Sequence, residues 1–140
     1  MSVSKVHDVA AGQPLPELSI PITPKLIVGG AIASRDYQNV HHDKDAAQAL
    51  GSPDIFMNIL TTNGLVGRYI TDWAGSGASM QKLAIRLGAP NFPGDTMVLS
   101  GAVSAVDEDE GTATISFRGS NSLGDHVTGT ATVKIVEQAD

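Results

Sequence analysis

The last third of the chain fixes its own backbone period. Over Thr112–Arg118, Ala113, Ile115 and Phe117 alternate with Thr112, Thr114 and Ser116. Over His126–Val136, Val127, Ala131, Val133 and Ile135 oppose Thr128, Thr130, Thr132 and Lys134. Successive side chains of a strand point to opposite faces, so this alternation means strands with one buried and one wet face, the habit of an antiparallel sheet. Thr96–Val106 is a further long strand candidate and Lys82–Leu87 another, with turn residues at 88–95, 107–111 and 119–124 between them.

A different period precedes the sheet. Between about Met57 and Trp73, apolar residues stand at Ile59, Leu60, Leu65, Val66, Tyr69, Ile70 and Trp73, and the pattern stops at Gly75-Ser76-Gly77. They cover more than one helical face, which predicts a helix enclosed by other elements. Upstream, Leu26–Ser34 and Lys44–Leu50 read as short helices, the second capped by Asp43. Leu15–Ile22 contains Pro16 and Pro21; proline cannot donate a ladder hydrogen bond, so this is an edge strand or extended segment. Residues 1–13 are polar and mixed and read as a flexible lead-in, leaving 14–140 as the domain. The order predicts an α+β fold in which a curved antiparallel sheet wraps around one long central helix.

Composition narrows what such a fold does. At 140 residues the chain makes one domain, and with 4% aromatic residues its core is aliphatic. The absence of cysteine removes thiolate chemistry, disulfides and sulfur-ligated metals. Fifteen acidic against nine basic side chains leave no basic stripe for nucleic acid or an anionic membrane. The apolar run Leu26–Ala33 is too short to span a bilayer, and His7 and Asp8 interrupt any signal-like start, so a cytoplasmic protein is expected.

Ionisable groups concentrate in Arg35–Asp43. A loop between two helices can bring Asp36 and His41 to one point, and a carboxylate beside an imidazole is a general acid/base pair. The same residues also serve as loop punctuation, with Asp36 ending one helix, Asp43 starting the next, and His41 and His42 solvated. Adjacent histidines point different ways and no third ligand cluster has fitting spacing, so no metal site is expected. Asn58 and Asn63 lie at the start of the long helix and one turn into it. An amide there needs a partner, which a ligand carbonyl, a water or nearby backbone could supply. The helix start itself offers free N–H groups to a developing oxyanion. Asp125-His126 reads as a solvated strand edge.

Asp36-x-x-x-x-His41, followed by Asp43 and an Ala-rich short helix, resembles the D-x-N-P-x-H signature of the MaoC-like enoyl-CoA hydratases, which have the hot-dog fold. The resemblance runs from about residue 14 to 136 and includes Pro93-Gly94-Asp95-Thr96 and Asn121–Asp125. The strings Asp54–Leu60, Thr71–Gly75 and Leu123–Val127 are similar to small subunits of heteromeric steroid enoyl-CoA hydratases of cholesterol side-chain degradation. Those subunits pair with a MaoC-like domain of a larger, DUF35-containing subunit.

The resemblance implies that Asp36 and His41 activate a water that adds to the β-carbon of a trans-2-enoyl thioester. The pair then supplies the α-proton to give a 3-hydroxyacyl-CoA. The thioester oxygen would point at amides near the helix start, with Asn58 and Asn63 as substrate-binding residues and no cofactor or metal. It further implies an oligomer, either a homodimer or a heteromer with a second MaoC-like subunit. Gln38-Asn39 replaces the N-P of the signature, and Asn58 stands where a glycine is usual. The alternatives are an acyl-CoA thioesterase, a non-catalytic acyl-CoA-binding subunit, and a cone-shaped ketosteroid-isomerase-like barrel. Thioesterases of this fold place a carboxylate on the central helix, and Met57–Tyr69 has none.

Overall fold

The computed structural model describes residues 6–136. Five antiparallel strands, β1 (Leu18–Pro21), β2 (Ala78–Leu87), β3 (Thr96–Asp107), β4 (Thr112–Asn121) and β5 (Gly124–Ile135), form one sheet in the order β1-β3-β4-β5-β2. The alternation in β4 works as expected: Ala113, Ile115 and Phe117 are buried while Ser116 and Arg118 face water. β1, short and ended by Pro21, occupies one edge. β2 occupies the other and begins four residues ahead of the expected Lys82.

Three α-helices precede β2: α1 (Pro24–Ala33), α2 (Lys44–Ala49) and α3 (Ile59–Ala74). Thr23 caps α1 by accepting from Leu26 N at 3.0 Å, with Pro24 at the first helical position, where its missing N–H costs nothing. Asp43 caps α2 through Ala46 N, the role read for it. α3 is the central helix. Its buried residues Thr62, Val66, Tyr69, Ile70 and Trp73 recur at helical spacing, and the apolar ones share a single core with Met97, Leu99, Ile115 and Val133 of the sheet. Fully burying an aliphatic side chain such as Ile70 or Ile115 contributes roughly 1.5–3 kcal/mol, so this stripe holds helix to sheet.

Two expectations are corrected. The long helix is not enclosed on all sides, because Ile59 and Leu60 are about half exposed and Gly64, Arg68, Thr71 and Asp72 face outward. The sheet curls over one face of α3 and leaves the other open. The lead-in is not loose from residue 6 on. Val6–Asp8 form a 3-10 turn, Val6 and Val9 are buried, and Gly12 N donates to Val103 O at 2.7 Å. Two valines in polar company are too few to show a period, which hid this packing from the sequence; the rest of that lead-in, residues 1–5, lies outside the described residues. Among the described residues, no helix is long and apolar enough to cross a membrane.

Candidate active site

The site starts with how α1 ends. Arg35 adopts φ 57°, the left-handed conformation usually left to glycine, and its N–H bonds Ile32 O while Asp36 N bonds Ala31 O at 2.8 Å. This reversal stops the helix and delivers Asp36 to its surface. The loop then closes on itself: Gln38 N donates to Asp36 Oδ1 (3.2 Å), and His42 Nε2 donates to the Asp36 carbonyl (2.7 Å). His42 is therefore a half-buried strut of the loop and not the solvated side chain of the loop-punctuation reading.

A 3-10 turn over Asn39–His41 carries His41 inward to 6% exposure. Its Nδ1 lies 2.6 Å from the Phe56 carbonyl, an acceptor, which places a proton on Nδ1; the Phe56 ring meets the imidazole edge-on at 5.0 Å. His41 Nε2 then faces Asp36 Oδ2 at 3.3 Å. A neutral ring with its proton on Nδ1 presents a lone pair to a carboxylate, two acceptors in contact. The arrangement is satisfied by a water bridging the two or by a second proton on the imidazole. Holding a water and exchanging a proton are what this geometry does well. A donated hydrogen bond from Asn58, then the Gln38 N–H, hold the partly exposed Asp36 carboxyl below the usual carboxylate range.

Asp36 and His41 open onto a cleft of about 360 Å³, lined also by Phe56, Met57, Asn58 and Ile59 on one side and by Leu87–Pro90 and His126 on the other. The N–H groups of Ile59 and Leu60 lie ahead of the α3 hydrogen-bond ladder, with the positive end of the helix dipole behind them, and Ile59 lines the cleft.

The two asparagines part company. Asn58 is at the cleft as the cap of α3, but both ends of its amide are engaged within the protein. Oδ1 accepts from Thr61 N (3.0 Å) and Thr61 Oγ1 (2.5 Å), and Nδ2 donates to Ser34 Oγ (3.0 Å) and Asp36 Oδ2 (3.1 Å). These bonds use the donors and acceptors of the amide within the protein, so the geometry does not present this side chain to a ligand. Asn63, half-buried one turn further on, does not line the cleft, so the second expected substrate contact is not placed there either. The residue that faces inward at that turn is Thr62.

His126 is the residue the sequence reading missed. Expected on a solvated edge, it is 3% exposed and lines the cleft, donating from Nδ1 to Ala89 O (2.7 Å) and accepting from Thr62 Oγ1 at Nε2 (2.8 Å). The ladder between β4 and β5 slips at this point: Gly119 opposes Val127 and Ser120 opposes Asp125, leaving His126 as the extra residue of a bulge. A bulge lets neighbouring residues 126 and 127 both turn inward, which strict alternation forbids. The Pro93–Thr96 and Asn121–Asp125 strings also acquire a mechanism. Asp95 Oδ2 accepts from Ser122 Oγ at 2.7 Å, and Asn121 Nδ2 donates to buried Asn91 Oδ1 at 2.8 Å. These bonds clamp the loop behind the Leu87–Pro90 wall onto the β4–β5 turn.

A family model described as the MaoC like domain matches residues 6–127. The chain is 52% identical over 119 residues to the 3-oxo-4,17-pregnadiene-20-carboxyl-CoA hydratase beta subunit of Mycobacterium tuberculosis, covering 85% of this chain and 91% of that protein. A chain in the crystal structure of the ChsH1-ChsH2 complex from Mycobacterium tuberculosis is similar with a TM-score of 0.87 and 49% identity, over 91% of this chain and 98% of that one. The (R)-hydratase from A. caviae involved in PHA biosynthesis is similar with a TM-score of 0.81 and 25% identity, again over 91% and 98%.

Proposed function

We propose, from the premise that this chain belongs to the MaoC-like dehydratase family, that it is an enoyl-CoA hydratase subunit acting on a steroid side-chain CoA ester. The observation that carries the reading is the Asp36 Oδ2–His41 Nε2 approach of 3.3 Å at the mouth of a cleft floored by a helix start. A water held between the two loses a proton to the pair as its oxygen bonds to the β-carbon of the trans-2-enoyl thioester. The π electrons move onto the thioester as an enolate, and the pair returns a proton to the α-carbon, giving the 3-hydroxyacyl-CoA. The enolate oxygen would sit at the Ile59 and Leu60 amides, where one such donor is worth roughly 3–4 kcal/mol of barrier. The substrate class follows the relative at 52% identity, which is named as a hydratase of a pregnadiene-carboxyl-CoA.

The chain would work with a second subunit. A cleft of about 360 Å³ accepts the reacting end of such a thioester and not its ring system as well. The open edge of β2 and the open face of α3 support a partner lying alongside. Similarity to a chain of the ChsH1-ChsH2 complex favours a different chain over a second copy, and a MaoC-like domain of a DUF35-containing subunit fits that place. The reading puts the pair in the cytoplasm.

The test is hydration by the complex with its native partner, followed as loss of the conjugated thioester's ultraviolet absorbance. Asp36→Asn and His41→Ala are each expected to lower turnover by about 10²–10⁴-fold with the circular dichroism spectrum unchanged. Near-normal turnover in either folded variant would refute the reading, and release of free CoA would replace it with a thioesterase.

A further inference from the structure

Asn58 is 3% exposed and is the joint of three elements. Its Oδ1 caps α3, while its Nδ2 reaches the end of α1 at Ser34 and the loop carboxylate at Asp36. Capping alone does not require asparagine. Serine, threonine or aspartate accept from the helix N–H about as well, but none of them also presents two N–H donors on the far side. The approach of the two helices is built for this joint as well. A Cβ on Gly30 of α1 would collide with the Thr61 side chain, so glycine lets α1 lie this close to the first turn of α3.

We infer that Asn58 is a positioning residue of the hydration, orienting the Asp36 carboxylate toward His41 and making no side-chain contact with substrate. The inference rests on the hydratase reading above. Asp36 Oδ1 is tied to the Gln38 N–H and Oδ2 to Asn58, which fixes the carboxylate plane and leaves Oδ2 opposite His41 Nε2. The titratable groups facing Asp36 are His41 and His42, and both lower its pKa less than Asn58 does. Removing the amide therefore removes the largest contribution that lowers the Asp36 pKa.

Asn58→Ser keeps a side-chain cap for Thr61 N and loses the donor to Asp36; Asn58→Gly loses both. In the native complex, Asn58→Ser is expected to lower kcat about tenfold or more with KM within about threefold, and to move the acid limb of the kcat–pH profile upward. A substrate contact would instead raise KM and leave the limb in place, and a cap alone would move neither; either result overturns the inference. Carbon-13 NMR titration of the Asp36 carboxyl provides a readout without turnover. Its midpoint is expected to rise in Asn58→Ser and Asn58→Gly, and an unmoved midpoint refutes the orienting role. Asp36→Asn run alongside separates the two levels, because activity in that variant sinks the hydratase reading itself. An inactive Asp36→Asn beside an unaltered Asn58→Ser sinks the inference alone.

Discussion

His41 and His126 share one cleft and are bound alike at one nitrogen. Both are almost fully buried, and both give the Nδ1 proton to a backbone carbonyl, Phe56 at 2.6 Å and Ala89 at 2.7 Å. They differ in what meets Nε2. A hydroxyl can donate, so Thr62 satisfies His126 as a neutral ring, and burial holds that ring's pKa below its ordinary value of 6.5 against the opposing Ala89 hydrogen bond. A carboxylate only accepts, so Asp36 Oδ2 offers His41 Nε2 no proton of its own. The same residue type, equally buried, is a fastener on one wall and, in the proposed mechanism, a proton exchanger on the other, and the third group decides which.

The comparison breaks most visibly if the two histidines respond alike to truncation. His126→Ala deletes one buried and one part-buried hydrogen bond, leaving the buried Thr62 hydroxyl with only its long 3.4 Å bond to Asn58 O and the half-buried Ala89 carbonyl without this donor. A buried group that loses its partner costs roughly 1–3 kcal/mol, and only the Thr62 side of the joint is fully buried, so unfolding in urea should show a loss of about 1–3 kcal/mol. His41→Ala should lose turnover out of proportion to its stability. A His126→Ala protein of normal stability and no activity would show that His126 takes part in the chemistry.

A smaller effect sharpens the same contrast through pH. The pKa of His126 is lower in the folded than in the unfolded chain, so the unfolded chain binds more protons in between. Its contribution is fully present above the unfolded value near 6.5 and is lost as pH falls from there toward the folded value. Asp36, also depressed, acts lower: its contribution is present above the ordinary 3.8 and lost as pH falls through its folded value. Urea midpoints should therefore decline as pH falls below about 6.5, and His126→Asn, which keeps a donor for Ala89 without a titrating ring, should flatten that decline. An unchanged slope in His126→Asn would assign the acid sensitivity to other groups.

What could be read from sequence follows from how each wall is built. The wall proposed to react is local: Asp36 and His41 are five residues apart in one loop, so spacing and family resemblance together could suggest that they meet, as they do at 3.3 Å. The sheet was legible for a similar reason, since period-two alternation is a local property of β4 and most of β5. The fastening wall joins Thr62, Ala89 and His126 across 64 positions, and its key device is a bulge that breaks the alternation used to read the strand. Nothing in His126 and its neighbours marks an inserted residue. Asn58 was half legible for a related reason: its position at the helix start was visible, but its partners Ser34 and Asp36 become visible only once α1 is packed against α3.

Backbone strain is distributed as unequally as the protons. Among the described residues, the one non-glycine with positive φ is Arg35, next to Asp36, whereas the positive-φ positions flanking the His126 wall are Gly94 and Gly124. A side chain in the left-handed region costs roughly 1–2 kcal/mol, so the Asp36–His41 wall carries a penalty that the fastening wall avoids. Arg35→Gly removes it at the residue that ends α1, where glycine is the usual choice. The expected gain is about 1 kcal/mol in urea unfolding, smaller than the other effects because glycine also frees the unfolded chain. Turnover in the native complex should stay within about twofold, since Asp36 remains tied to Ala31, Gln38 and Asn58. A stabilised but markedly slower Arg35→Gly enzyme would mean that those ties do not place the carboxylate without the strained residue before it, and the strain would then belong to the reacting geometry.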